Sequence, residues 1–344
     1  MVSIALGGLR HLRPEQMRQL YQACVTPVLD YASTVWHDPL TVATTTLEVE
    51  THILPRHLRL RHRAQNTITS LHTLPRDHPI WDTLRRAQKR KNNIGSHARF
   101  PLAEALKTMN LGKLDELEMI DPRPLPSWRA ESFTDIEIGS DREAARERAE
   151  TVRSSSAIVV YSDASGREGH LGAAAVALDN NLQVIESQQV QVGPMGRWSV
   201  HVAELIGIFY AVSAVFKISH QRPRKEHDGT TTATILYDSR SALQAIQNPG
   251  NKSGQRITHA ILQAAAEVQA KGIALRLQWI PGHCGNAGDD AADRLAKDAA
   301  SPGKTHPFRP LLTRKRALIR DAIPAQWERE WRTSTRRGHL RKIR

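Results

Sequence analysis

Four acidic residues and one histidine occupy positions that a sequence ordinarily gives to apolar or turn residues. Asp163 follows a β-branched run inside Tyr161-Ser162-Asp163-Ala164-Ser165. Glu204 lies in VAELIGIFYAVSAVF, an apolar helical stretch with no Lys or Arg within one turn of it. An ionised carboxylate buried there without a cation costs several kcal/mol. Asp238 ends the strand-like run Leu236-Tyr237 and precedes Ser239, a residue suited to capping a helix. The last motif, WIPGHCGNAGDDAADRLAK, runs from Trp279 to Lys297. It carries His283 in a glycine-rich loop and places Asp289 and Asp293 one turn apart on the helix that follows. Asp290 reads as favourable charge at that helix's N-terminus. Carboxylates at the ends of adjacent strands converge, and four sharing one site cannot all stay ionised without cations. Such hard oxygen donors select magnesium or manganese over zinc. The chemistry they offer is two-metal hydrolysis of a phosphodiester. Taken singly, each has a plainer reading: a turn former or cap for Asp163 and Asp238, a helix-edge side chain reaching solvent for Glu204.

The elements that must position these residues are legible in the periodicity. Strands are expected over 157–162, 172–178 and 182–192, joined by turns at 166–169 and 180–181 into an antiparallel meander. A helix over 199–218, apolar nearly all round, follows. Then come a strand at 233–237, helices at 239–248 and 258–270, a strand at 273–280 and a helix at 288–300. This order predicts an α/β fold on a mixed five-stranded sheet, three strands antiparallel and two parallel, with helices on both faces. Upstream, a helix is expected over 14–26, with Met17, Leu20, Tyr21, Cys24 and Val25 on one face. A second is expected around 56–72, apolar at Leu60, Ala64, Thr67 and Leu71 and basic at Arg56, Arg59, Arg61 and Arg63. His52, His57 and His62 recur every five residues, which does not place them on one helical face, and read as surface or hydrogen-bonded histidines. Pro122, Pro124 and Pro126 followed by DREAARERAE read as a linker with one charged helix.

Charge and composition narrow the classes. Of 344 residues, 5% are aromatic, which argues against a single-strand binder built on stacking. The longest apolar run, 202–216, is interrupted by Glu204, so no membrane span is expected. The apolar start, residues 1–9, lacks a basic n-region, so secretion is not expected and the location is expected to be intracellular, nuclear or cytoplasmic. Cys24 and Cys284 show no metal-type spacing. The net charge of +13 divides as +8 over 1–114, −5 over 115–154, zero over 155–300 and +10 over 301–344. Basic flanks around a neutral, carboxylate-bearing centre suit a protein that holds phosphates and cuts near them.

At YSDAS, AEL, YDS and WIPGHCGNAGDDAADRLAK the chain resembles a type I ribonuclease H domain, over residues 157–300 and in that family's order of elements. The resemblance implies that Asp163, Glu204, Asp238 and Asp293 are metal-binding, catalytic carboxylates and that His283 is the catalytic loop histidine. The interval of ten from His283 to Asp293 matches the family and selects Asp293 over Asp289. Two Mg²⁺ ions, replaceable by Mn²⁺, are implied as cofactors. The implied reaction is endonucleolytic hydrolysis of the RNA strand of an RNA–DNA hybrid, leaving 5′-phosphates. The GHCG and RLAK variants, and the flanks RQLYQACVTPVLDYASTVW and LPRHLRLRHRAQ, resemble fungal non-LTR retrotransposon polyproteins, in which a reverse transcriptase precedes this domain. The Tyr/Phe-x-Asp-Asp polymerase motif is absent, so the upstream part resembles a truncated tail lacking the catalytic palm. The expected organisation is a helical reverse-transcriptase-like tail at 1–112, a Pro-rich acidic linker at 113–154, the ribonuclease H domain at 155–300 and a basic tail at 301–344. The basic regions 1–112 and 301–344 are expected to add nucleic-acid contacts. The alternative is a catalytically inactive, nucleic-acid-binding remnant of a retroelement.

Overall fold

The computed structural model describes residues 54–90, 111–123, 131–139, 141–179, 181–221, 231–282 and 285–333, with scattered residues before 28 and at 105 and 109. Most of the helix expected at 14–26 lies outside the described residues, as do Cys24, His283 and Cys284. The chain divides into two units. Unit 1 comprises Met1–Leu117 and Lys315–Arg344, and unit 2 comprises Glu118–Arg314.

Unit 1 contains α1 (Arg56–Leu71), α2 (Ile80–Arg90) and the short α3 (Leu111–Asp115). Helix α1 spans almost the expected residues and buries Leu58, Leu60, Ala64 and Ile68. Ala64 and Ile68 join Ala105, Leu114 and Leu117 in a small core. Two of the spaced histidines have partners here: His57 Nε2 lies 2.7 Å from Glu330 Oε2, and His62 Nε2 lies 3.0 Å from Asn66 Nδ2.

Unit 2 opens with β1 (Asp135–Glu137) and α4 (Arg142–Ser155), then β2 (Ile158–Arg167), β3 (His170–Leu178) and β4 (Val184–Pro194). Next come α5 (Val200–Gln221), β5 (Thr231–Tyr237), α6 (Arg240–Gln247), α7 (Gln255–Gln269), β6 (Ile273–Trp279) and α8 (Ala287–Ala299). The sheet runs β1-β6-β5-β2-β3-β4. Strands β2, β3 and β4 pair antiparallel, and β2, β5, β6 and β1 pair parallel. The expected mixed α/β architecture is present, with one correction: the sheet has six strands, not five. The extra strand, β1, comes from the segment read as linker and pairs Asp135–Glu137 with residues 276–278 of β6. Three residues are too few to show an alternating pattern.

Alternation along β2 sends side chains to two cores. Ile158 and Val160 face the larger core with α5, α6 and α7, while Val159 and Tyr161 pack with Ala149, Ala291 and Ala292 from α4 and α8. The β2–β3 hairpin closes on Glu168 and Gly169, both at positive φ (51° and 76°), the pairing favoured by a two-residue turn whose twist matches its strands. Helix α5 is long and apolar enough to cross a membrane by length and composition, yet 67% of its most apolar stretch is buried inside the protein. It is the core helix of this unit, which is why it lacks a polar face.

The segment 301–344, expected as a basic tail, contains a long helix. Helix α9 (Leu312–Thr333) occupies much of it, with Leu311, Leu312 and Ile323 buried and Pro324 inside the helix. Its first residues, through Arg314, belong to unit 2. There, buried Glu118 ties three segments together. Its carboxylate accepts hydrogen bonds from Ser253 Oγ (2.5 Å), the Gly254 N–H (2.8 Å) and the Leu312 N–H (2.9 Å). Gly254 precedes α7 at φ 91°, a conformation suited to glycine.

Candidate active site

The register of β2 and β5 sets the first two carboxylates side by side. Ser162 and Tyr237 form the last pair of the parallel β2–β5 ladder, so Asp163 and Asp238 follow immediately on adjacent strands. This is the carboxyl end of the central parallel strands, where open α/β sheets place their functional crevices. Glu204 arrives from the start of α5, which packs across β2 and β3. Carboxylate oxygens of Asp163, Glu204 and Asp238 lie within 4.8 Å of one another.

Two features let α5 approach so closely. The first is Gly207, one turn beyond Glu204, where a Cβ would come within 2.8 Å of Ser162 Oγ and 3.7 Å of Tyr237 Oη. The second is Tyr237 itself, fully buried, whose hydroxyl donates a hydrogen bond to Glu204 Oε2. Neither was singled out in the sequence: a tyrosine in a strand and a glycine in an apolar helix read as ordinary packing residues. Asp238 is boxed in from the other side. A Cβ on Gly282 would lie 2.5 Å from Asp238 Oδ2, and Trp279 Nε1 donates to the Asp238 carbonyl at 2.9 Å. The guanidinium of Arg240 stacks over the Trp279 ring at 3.8 Å. Ser239 holds the position before α6, but its hydroxyl makes no capping hydrogen bond and lies 3.3 Å from Ser241 Oγ.

Crowding and burial raise the affinity of this cluster for positive charge. Burial first, then the charge of Asp238 and more weakly those of Asp293 and Asp289, push Asp163 up to about 7. Burial lifts Glu204 to about 8, with Asp238 and Asp163 adding to it and the Tyr237 hydrogen bond opposing it. Burial and the charge of Glu204 raise the Tyr237 phenol well above its ordinary value, so it stays a neutral donor.

The structure brings three of the expected carboxylates into the close cluster. Asp293 stands outside it: its Oδ2 is engaged by Lys297 Nζ at 2.5 Å, one turn along α8. Asp289, the residue set aside in its favour, is buried and also contributes to the shift of Asp163. His283 lies outside the described residues. Three oxygen donors of this spacing, two of them holding protons tightly, form a donor set that could hold a divalent metal ion.

Residues 155–301 match the family model for RNase H. The RNase H match falls entirely within unit 2 and contains every element that carries the cluster. No curated protein matches the chain. Among solved structures, it is similar to the N-terminal RNase H domain of Rv2228c from Mycobacterium tuberculosis, at 22% identity over 42% of this chain and 92% of that one, with a TM-score of 0.29. It is also similar to RNase H1 from the halophilic archaeon Halobacterium salinarum, at 14% identity over 41% and 96%, with a TM-score of 0.30. A third is LC11-RNase H1, isolated from compost and solved in complex with RNA/DNA hybrid, at 16% identity over 42% and 96%, with a TM-score of 0.31.

Proposed function

We propose that this chain is a metal-dependent endonuclease that hydrolyses the RNA strand of RNA–DNA hybrids, derived from a retroelement. The observation that carries the reading is the cluster of Asp163, Glu204 and Asp238 at the mouth of an RNase H domain. Three carboxylates crowded at this depth favour a bound cation over mutual repulsion. Asp163, Glu204 and Asp238 would hold Mg²⁺, or Mn²⁺ in its place, and Asp293 would serve as a fourth ligand once Lys297 releases it. Held by these carboxylates, such ions would supply Lewis-acid polarisation of the scissile phosphate and activation of a water molecule. The chain's own part is to fix the oxygen donors. The β2–β5 register aligns Asp163 with Asp238, and Tyr237 orients Glu204 by occupying its Oε2. Gly282 leaves room for the Asp238 carboxylate, whose Oδ2 a Cβ there would meet at 2.5 Å. His283, ten residues before Asp293, would move a proton during the reaction or during product release. The RNA strand would be recognised by its 2′-hydroxyls with little regard to sequence.

The deciding experiment is gel-resolved cleavage of a labelled hybrid by purified protein, with Mg²⁺, with EDTA and with Asp238→Asn. Metal-dependent cleavage of the RNA strand to 5′-phosphate products, lost in Asp238→Asn, is expected. Folded wild-type protein that binds hybrid in Mg²⁺ without cutting it would leave a nucleic-acid-binding remnant instead.

A further inference from the structure

All of the chain's net charge resides in unit 1. Residues 1–117 and 315–344 hold 26 Lys and Arg against 13 Asp and Glu, while residues 118–314 hold 22 against 22. The carboxylate cluster therefore sits in a unit with no net attraction for a polyanion, and a highly charged ligand has more reason to bind elsewhere on the chain.

Unit 1 offers a place for it. A groove of about 530 Å³ runs along one side of α1. Arg59, Arg63, Asn66 and Ser70 line it at intervals of four, three and four, which is one helical face, and Thr67, His62, Arg316 and the apolar Leu54 and Leu71 line it as well. Among the described residues that line it there is no Asp or Glu. The nearby acid Glu330 is engaged by His57 at 2.7 Å and lies 3.8 Å from Arg61, both at other positions on α1. The stripe is held in position from behind, because Leu58, Ala64 and Ile68 are buried. Two of its guanidinium groups are steadied as well: Arg59 Nε donates to the Leu54 carbonyl at 3.0 Å, and Arg316 donates to Ser70 Oγ. Guanidinium groups interleaved with amide and hydroxyl groups, with no carboxylate among them, match a row of phosphates.

We propose that this groove is a second polynucleotide site, which grips the sugar-phosphate backbone without reading sequence. It does not depend on the hydrolytic reading of unit 2, because a backbone site works whether or not the cluster cuts.

The test is equilibrium binding of the full chain to a fluorescent RNA–DNA hybrid in EDTA across a series of salt concentrations. One variant combines Arg63→Gln with Arg316→Gln. The other, Thr67→Glu, adds a carboxylate to the groove and removes no basic group. The double variant is expected to lose roughly 10- to 100-fold in affinity at about 0.1 M salt, with the slope of log affinity against log salt smaller by about two. Thr67→Glu is expected to weaken binding in the same direction. Both should keep the wild-type melting temperature and the wild-type cleavage rate at saturating hybrid. Should the double variant fail to fold, Thr67→Glu decides alone. Wild-type affinity and slope in folded Thr67→Glu would overturn the proposal. So would equal displacement of the hybrid by polyglutamate and by unlabelled polynucleotide, which would make the groove a general polyanion site. A chain that fails to cut in Mg²⁺ would overturn the nuclease reading and leave this binding readout intact.

Discussion

Burial and the neighbouring Asp238 lift Asp163 to about 7, and burial lifts Glu204 to about 8. In the unfolded chain both titrate near 4. The folded state therefore binds the extra protons, so their contribution to stability is fully present below about pH 4 and is lost as pH rises through the folded values. Without metal, unit 2 is expected to melt at a lower temperature at pH 8 than at pH 5. Asp238→Asn, which removes a charge facing both groups, should shrink that difference; an undiminished difference in calorimetry would assign the pH effect to other residues. Tyr237 acts on the same balance. With its hydroxyl gone, Glu204 Oε2 loses the donor that opposes protonation, and a cation must displace a more tightly held proton. Tyr237→Phe is expected to weaken Mg²⁺ or Mn²⁺ binding roughly tenfold at neutral pH, the worth of one hydrogen bond to a charged group. Calorimetric titration should show the loss recovering towards pH 9. Equal affinity in both proteins across that range would reduce Tyr237 to a packing residue. The carboxylates could be found from sequence because acids in strand ends and apolar helices violate local rules. Tyr237 could not, because a tyrosine in a strand obeys them.

Elements in unit 2 were legible wherever one face is buried. Helix α5 was clear because it is apolar nearly all round, and strands β2 to β6 because their side chains alternate or run continuously apolar. What escaped was short or masked by charge. Strand β1 is three residues long and exists through its pairing with β6. Helix α9 carries Lys and Arg along much of its length, and Pro324 within it removes a hydrogen bond to the preceding turn, so it read as tail. Close packing between elements was equally hidden. At Gly172 in β3, a Cβ would lie 2.2 Å from the Ala296 carbonyl oxygen, 2.5 Å from the Ala300 nitrogen and 2.6 Å from the Ala299 carbonyl carbon. These are backbone atoms at the end of α8 and cannot swing aside. Gly172→Ala must push away the helix that carries Asp289 and Asp293. It is expected to cost about 1–3 kcal/mol, as overpacking does. Denaturant titration would measure it, and a neutral effect would mean that β3 and α8 separate freely.

At the scale of the whole molecule, the two units divide the labour by charge: unit 2 is neutral and holds the carboxylates, while unit 1 carries the entire excess of +13. A ligand that binds only the folded form of one unit stabilises that unit by mass action. Mg²⁺ held by the cluster should therefore act on unit 2 alone. At a concentration one hundred times its dissociation constant the gain is about 2.7 kcal/mol. For a unit of this size that corresponds to a rise of roughly 5–10 °C in melting temperature. Scanning calorimetry at pH 8 is expected to show two transitions. One should rise with Mg²⁺ in the wild type and stay fixed in Asp163→Asn, while the other ignores Mg²⁺ in both. The same reasoning makes Asp163→Asn more stable than the wild type when metal is absent, because one of the crowded carboxylates has gone. A single transition that moved as one with Mg²⁺ would mean that the units unfold together, and the separation of charge from the carboxylate cluster would then be a feature of sequence and not of folding. Two transitions, both unmoved by Mg²⁺ while the protein stays folded, would remove the metal from the cluster and with it the basis for hydrolysis.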